Sequence, residues 1–90
     1  MNDQRILEEL LSMLEANGVG VRNEPLGGSG GGGCTIKGER TFFVDTQASS
    51  CESAILAAEA VSKMVDIESI YILPEVRQFI EEHSNKQKEY

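Results

Sequence analysis

Ninety residues, of which 40% are hydrophobic and 26% charged, are typical of one small globular domain. The net charge of −7 disfavours an electrostatic hold on nucleic acid or on an anionic membrane surface. No stretch is long and apolar enough to span a bilayer. Residues 1–16 are acidic and amphipathic, whereas an export signal is basic and then uniformly apolar, so we expect a cytoplasmic protein with reduced cysteines.

The chain begins with the pattern of an amphipathic helix. Asp3 is the candidate N-cap, and Gly18 suits the left-handed conformation that ends many helices. Between them, apolar residues recur at three- and four-residue spacing and form one stripe: Ile6, Leu7, Leu10, Leu11 and Leu14. Val19 and Val21 then alternate with polar residues, which predicts a strand that Pro25 ends.

A hairpin and a second helix follow the glycine-rich segment 27–33. Residues 34–37 and 40–45 have the composition of strands, and Gly38 supplies the turn between them. Ser49 and Glu52 form the pattern of a capping box, which opens a helix. The apolar face of that helix comprises Ala54, Ile55, Ala58, Val61, Met64 and Val65.

The last third of the chain predicts one more strand and one more helix. Residues 69–72 indicate a short fourth strand, and Pro74 fits the first turn of a third helix whose inward residues are Val76, Phe79 and Ile80. A polar tail, 84–90, follows a single domain, 1–83. The third strand, second helix and fourth strand are expected to form a crossover with parallel strands, the other pairings being antiparallel. The prediction is therefore an α+β sandwich of order α-β-β-β-α-β-α, with helices packed on a four-stranded mixed sheet.

The segment 27–33 holds six of the nine glycines. Its G-x-G-x-x-G spacing lacks the following helix of a dinucleotide site, and its end lacks the Gly-Lys-Ser/Thr of a phosphate P-loop. Three interpretations stay open: a flexible connector, an ordered loop docked on protein, and a small-ligand site in which backbone N–H groups hold an anion.

Few side chains near this segment carry chemistry. Cys34 shares a strand face with Ile36, which favours a buried and inert thiol, although a nucleophile beside glycine N–H groups is the functional alternative. The single histidine, His83, is expected to pack at the rim of the third helix rather than to act as a base. Asp45 ends a strand, where a turn or capping role is favoured over a reactive one. No cysteine or histidine spacing predicts a metal site, and no cofactor is expected.

The sequence also resembles a group of small uncharacterised bacterial proteins. The residues that carry the resemblance are the block Pro25-Leu26-Gly27-Gly28-Ser29-Gly30-Gly31-Gly32-Gly33-Cys34, then Gly38, Phe43-Val44-Asp45 and Leu73-Pro74-Glu75-Val76-Arg77. The resemblance covers nearly the whole chain and implies that the glycine block belongs to a natural fold. It implies no activity and no ligand.

We therefore expect a non-enzymatic binding or assembly module that uses the Gly27–Gly33 loop and the adjacent strand edge, and whose partner is a protein or a second copy of the chain. Glycines leave backbone N–H and C=O groups open to an extended segment or a sheet edge. The alternative is an enzyme that holds a small anion at the glycine segment, with a cysteine or an aspartate as reactive group. A small subunit that completes its core on a larger complex is a third hypothesis. The candidate site residues are Gly27, Gly28, Ser29, Gly30, Gly31, Gly32, Gly33, Cys34 and Asp45.

Overall fold

A computed structural model describes residues 1–28 and 31–84. These residues form three helices and a three-stranded mixed sheet, which confirms the predicted α+β class. In chain order the elements are α1 (Asp3–Ala16), β1 (Gly20–Glu24), β2 (Gly31–Ile36), β3 (Glu39–Asp45), α2 (Ser50–Met64) and α3 (Pro74–Ser84). Of the tail predicted at 84–90, Ser84 ends α3, and residues 85–90 lie outside the described residues.

The first helix follows the predicted apolar stripe, and its buried residues are Ile6, Leu7, Leu10 and Leu14. Its N-cap is Asn2 and not Asp3, because the Asn2 Oδ1 atom accepts a hydrogen bond from the Arg5 amide at 2.8 Å. Gly18 has a φ of 85°, as predicted for the residue that ends this helix.

The second and third helices complete the core. The capping box is confirmed, since the Ser49 hydroxyl accepts from the Glu52 amide at 3.1 Å while the Glu52 carboxylate accepts from the Ser49 amide at 3.4 Å. Small buried residues let α2 lie close to α1: Ser53, Ala54, Ala57, Ala58, Ala60 and Val61. Val76 and Ile80 bury the inner face of α3. None of the helices in the described parts of the chain is long and apolar enough to cross a membrane.

The sheet has the order β1-β3-β2, so β3 is its central strand. The predicted hairpin is confirmed: β2 and β3 are antiparallel, and Lys37 and Gly38 form the turn with φ values of 53° and 83°. β1 pairs with β3 in parallel, which corrects the antiparallel pairing expected from the sequence. Because β1 and β3 end at the same side of the sheet, the β1–β2 connection must cross the carboxyl end of β3.

The predicted fourth strand, 69–72, is wrong, and with it the four-stranded sheet and the strand-helix-strand crossover. The segment between α2 and α3 is irregular because its polar groups bond locally. The Ser69 amide and hydroxyl donate to the Asp66 carbonyl at 3.2 and 3.0 Å, and the Arg77 guanidinium donates to the Ile67 carbonyl at 2.9 Å. Tyr71, within this segment, is 82% exposed.

One face of the sheet packs on α1 and α2, while α3 packs on those two helices and not on the sheet. Phe42, on the helix side, is fully buried. On the opposite side, no described helix covers the strands, and the residues are partly buried or exposed. We call this side the uncovered face; it comprises Arg22, Gly32, Cys34, Ile36, Thr41 and Phe43.

Candidate functional site

The Asp45 carboxylate anchors the connection that crosses from β1 to β2. Asp45 is buried at the end of β3, and its Oδ1 atom accepts from the Leu26 amide and from the Gln47 amide, each at 2.9 Å. The Gln47 side chain in turn accepts from the Gly27 amide at 2.6 Å. The first part of the glycine segment is therefore held by the end of the central strand, and Asp45 acts as a turn and anchoring residue.

The last part of the glycine segment belongs to β2, whose start had been predicted three residues later, at Cys34. Gly31 has a φ of 79°, and a Cβ atom at this position would overlap the carbonyl oxygen of Phe43. Only glycine fits such a backbone. Two of the candidate residues, Ser29 and Gly30, lie outside the described residues.

Gly33 brings β2 directly onto α2. A Cβ atom on Gly33 would lie 2.8 Å from the Met64 methyl carbon and 3.8 Å from the Ala60 Cβ. A shallow groove of about 90 Å³ runs beside this contact, and it is lined by Gly32, Gly33, Leu56, Glu59, Ala60, Lys63 and Met64. Helix α2 therefore packs on one face of β2, while the outer edge of β2 pairs with no strand among the described residues.

The outer edge of β2 has no partner strand among the described residues. Ile36 and Glu39 flank the two-residue turn, so they exchange both backbone hydrogen bonds across the hairpin. Bonded and non-bonded pairs alternate along an antiparallel ladder. Gly33 and Thr35 are therefore non-bonded positions, and their N–H and C=O groups point away from β3.

The opposite side of β3 shows the same alternation. Directly after β3, the Thr46 amide donates to the Glu24 carbonyl of β1 at 2.9 Å. Even-numbered positions of β3 thus face β1, which leaves the odd-numbered positions to bond β2. The hairpin with β2 and the pairing with β1 therefore agree that the backbone groups of Gly33 and Thr35 point outward.

Cys34 is exposed, which corrects the expectation of a buried thiol. Cys34 and Ile36 do share a face, as predicted, but it is the uncovered face, and Ile36 is 43% exposed. On the same face the Arg22 guanidinium lies 6.0 Å from the centre of the Phe43 ring. The β2 edge therefore borders a surface of mixed apolar and polar character.

The enzymatic alternative has Cys34 or Asp45 as its reactive group, and these two residues lie apart in the fold. Cys34 pairs with Thr41, four residues before Asp45, which places the thiol and the carboxylate about 13 Å apart along the strand. His83 stacks on Phe79 with ring centres 4.3 Å apart, on a helix that does not contact the sheet. In the parts of the chain that the structure describes, no three or more His, Cys, Asp or Glu residues cluster in a way that could hold a metal ion.

A separate cleft of about 280 Å³ lies at the carboxyl ends of β1 and β3, against α1 and the start of α2. Sequence reasoning missed this cleft, because its walls come from three segments that are distant in sequence: 4–11, 23 and 44–53. Its lining residues are Gln4, Leu7, Leu11, Asn23, Val44, Asp45, Thr46, Ala48, Ser50 and Ser53. The lining contains a carboxylate and no lysine or arginine, so this cleft does not favour a small anionic ligand.

No family model, curated protein or solved structure matches this chain. The resemblance to small bacterial proteins therefore stays a prediction. What the molecule does has to be argued from its own geometry, in which the most distinctive feature is the open edge of β2.

Proposed function

We propose that this protein is a binding module that pairs an extended segment of a protein partner with the outer edge of β2. The observation that supports the proposal is the position of Gly33 and Thr35 in the ladder: their backbone groups point outward, and no strand of the described part of the chain pairs with them. An extended peptide that adds to such an edge gains main-chain hydrogen bonds.

Strand β2 carries none of the devices that commonly close a sheet edge. It has no charged residue and no proline, and half of its six residues are glycine. Side chains therefore leave the backbone accessible along the strand. The sequence predicted the Gly27–Gly33 loop and the adjacent strand edge as the recognition surface. We restrict the proposal to the edge of β2, which follows a segment whose Leu26 amide donates to Asp45 and whose Gly27 amide donates to Gln47.

The surroundings of β2 offer the side-chain contacts that give such pairing its specificity. On one side lies the groove against α2, with Glu59 and Lys63 at its rim. On the other side lie Cys34 and Ile36 of the uncovered face. Alternate side chains of an added strand would point to these two sides in turn.

The proposal is tested by panning a display library of random 12-residue peptides against the full chain, followed by ¹H–¹⁵N spectra of the labelled protein with a selected peptide. We expect chemical-shift changes and slowed amide exchange at Gly33 and Thr35. Thr35→Pro removes one outward N–H and no ladder hydrogen bond, so it should weaken peptide binding about tenfold or more. Thr35→Ala keeps the N–H and should bind within about twofold of the parent chain.

Both variants must first show the parent's circular dichroism and melting temperature, since neither alters a bond inside the sheet. Peptides that bind Thr35→Pro as tightly as the parent, or that shift amides remote from β2, would contradict the proposal. Cys34→Ser separates the proposal from thiol chemistry: peptide binding should survive it, whereas a reaction at the thiol should be lost.

A further inference from the structure

We infer that the segment which adds to β2 is β2 of a second copy, in an antiparallel pairing whose two-fold axis passes through Cys34. This inference rests on the proposed function, because it names the occupant of the same edge. Three observations lead to it: the register of the outward backbone groups, the shape of the uncovered face, and the charges that flank the strand.

The register follows from symmetry. In a two-fold antiparallel pair, outward groups must meet outward groups, so the axis has to pass through a residue and not between two. An axis at Cys34 sets Gly33 opposite Thr35 of the second copy, and it does so twice. Each of these pairs exchanges both main-chain hydrogen bonds, and the result is one continuous sheet with three strands from each copy.

The same register matches the side chains of the uncovered face. Ile36 comes to lie opposite Gly32 of the second copy. Ile36 is 43% exposed in the single chain, and the space where a Gly32 side chain would stand is empty. The isoleucine of each copy thus covers the bare backbone of the other, and an exposed apolar side chain leaves water.

The two-fold axis passes through Cys34, whose side chain is small enough to face its own copy across the axis. Cys34 would face Cys34 of the second copy in a non-hydrogen-bonded pair, where Cα atoms lie about 4.5 Å apart. That separation is within the range that a disulfide spans. The inference does not require the bond; the two thiols pack as small apolar groups when reduced.

The flanking charges are self-complementary under the same axis. Glu59 and Lys63 lie four residues apart on α2, beside β2, and neither is in an ion pair within the described residues. The two-fold axis sets the α2 helices of the copies on the same side of the joined sheet, running in opposite directions. Glu59 of each copy is thereby turned toward Lys63 of the other, and β2 adds no charge of its own.

Cross-linking through one thiol tests the register directly. A Cys51→Ser chain keeps Cys34 alone, and the oxidant diamide takes up the two electrons and two protons that a pair of thiols releases on forming a disulfide. We expect this chain to form a covalent dimer in high yield. The matched control is Cys34→Ser, which keeps the equally exposed Cys51 and should stay largely monomeric.

Sedimentation velocity of the reduced, unmodified chain between about 10 µM and about 1 mM measures the association itself. A dimer fraction should grow with concentration. Thr35→Pro and Ile36→Lys should each raise the dimer dissociation constant about tenfold or more, while Thr35→Ala should leave it within about twofold.

The outcomes separate this inference from the function on which it rests. A chain that stays monomeric at every concentration, yet binds selected peptides at Gly33 and Thr35, overturns the inference and leaves the proposed function standing. A dimer that tolerates Thr35→Pro and cross-links through Cys51 as readily as through Cys34 uses another surface, and it also overturns the inference. Loss of peptide binding and of self-association alike removes both.

Discussion

The two edges of this sheet are built in opposite ways. Strand β1 carries Arg22 and Glu24, which form an ion pair at 3.2 Å, and Pro25 ends it. Strand β2 carries no charge, and its first three residues are glycines. Charge and proline are the features that keep edge strands from pairing with other chains. The sequence of β1 therefore protects one edge of the sheet against pairing with another strand, whereas the sequence of β2 does not protect the other edge.

The glycines of the β2 edge have a structural origin. Gly31 is imposed by the path of the chain over the end of β3, and Gly33 by the close approach of α2. Two separate packing demands therefore strip side chains from the same strand. A strand that lacks side chains for these reasons exposes its backbone to solvent. The glycines that the fold requires would then also make the backbone accessible to a partner strand.

The largest loss of stability in the β2 edge is expected from Gly31→Ala. The new Cβ would overlap the Phe43 carbonyl and hold a left-handed φ, so we expect a loss of about 3 kcal/mol in the free energy of unfolding, measured by urea denaturation. Gly33→Ala is the matched control two residues away. Its Cβ would lie 2.8 Å from the flexible end of Met64 and 3.8 Å from the Ala60 Cβ, which is an ordinary contact, so we expect a loss below about 1 kcal/mol. Equal losses at the two positions would show that Gly31 is not special.

The next largest loss of stability is expected at Asp45, which anchors the connection between β1 and β2. Asp45→Ala leaves the amides of Leu26 and Gln47 without their carboxylate acceptor, which should lower the free energy of unfolding by about 2 kcal/mol. Asp45→Asn retains an acceptor oxygen in nearly the same place and should cost about half as much. Amide exchange at Leu26 provides a local readout. Unchanged exchange in Asp45→Ala would mean that the connection is held from elsewhere.

A smaller effect is expected at Arg40, the residue of the central strand that bonds to the ends of two helices. The Arg40 guanidinium donates to the carbonyls of Asn17 at 2.7 Å and of Met64 at 2.9 Å, so it caps the ends of α1 and α2 together. We expect Arg40→Ala to lower the free energy of unfolding by about 1 kcal/mol, because the site is exposed. Arg40→Lys cannot serve both carbonyls with a planar fork and should recover only part of this loss.

Local patterns were enough to predict much of the fold. The α1 stripe, the capping box of Ser49 and Glu52, and the turn at Gly38 depend on neighbours a few residues apart, and the structure confirms all three. The parallel pairing of β1 with β3 depends on residues about twenty positions apart, which no local pattern records. Residues 69–72 alternate as a strand does. The Asp66 carbonyl nevertheless accepts hydrogen bonds from the amide and hydroxyl of Ser69, so these groups are bonded in a local turn and not in a sheet.

The candidate site shows a second limit of sequence reasoning. Alternation correctly placed Cys34 and Ile36 on one face, but it does not tell which face the helices cover. The beginning of β2 was hidden for a related reason: glycine has low strand propensity, and only the ladder to β3 makes 31–33 a strand. Which strand forms the outer edge is a property of the assembled sheet, so the glycine content alone could not identify it.

The smallest loss of stability is expected from removal of the Arg22 charge on the β1 edge. Arg22 is 62% exposed in its pair with Glu24 and lies at the distance limit of a cation–π contact with Phe43, so Arg22→Ala should lower the free energy of unfolding by about 0.5 kcal/mol or less. A double-mutant cycle with Glu24→Ala isolates the pair. Peptide panning on Arg22→Ala should still select β2, because Pro25 lacks an amide hydrogen and Glu24 keeps its charge. Peptides that shift amides of β1 in this variant would show that one arginine alone had kept that edge closed.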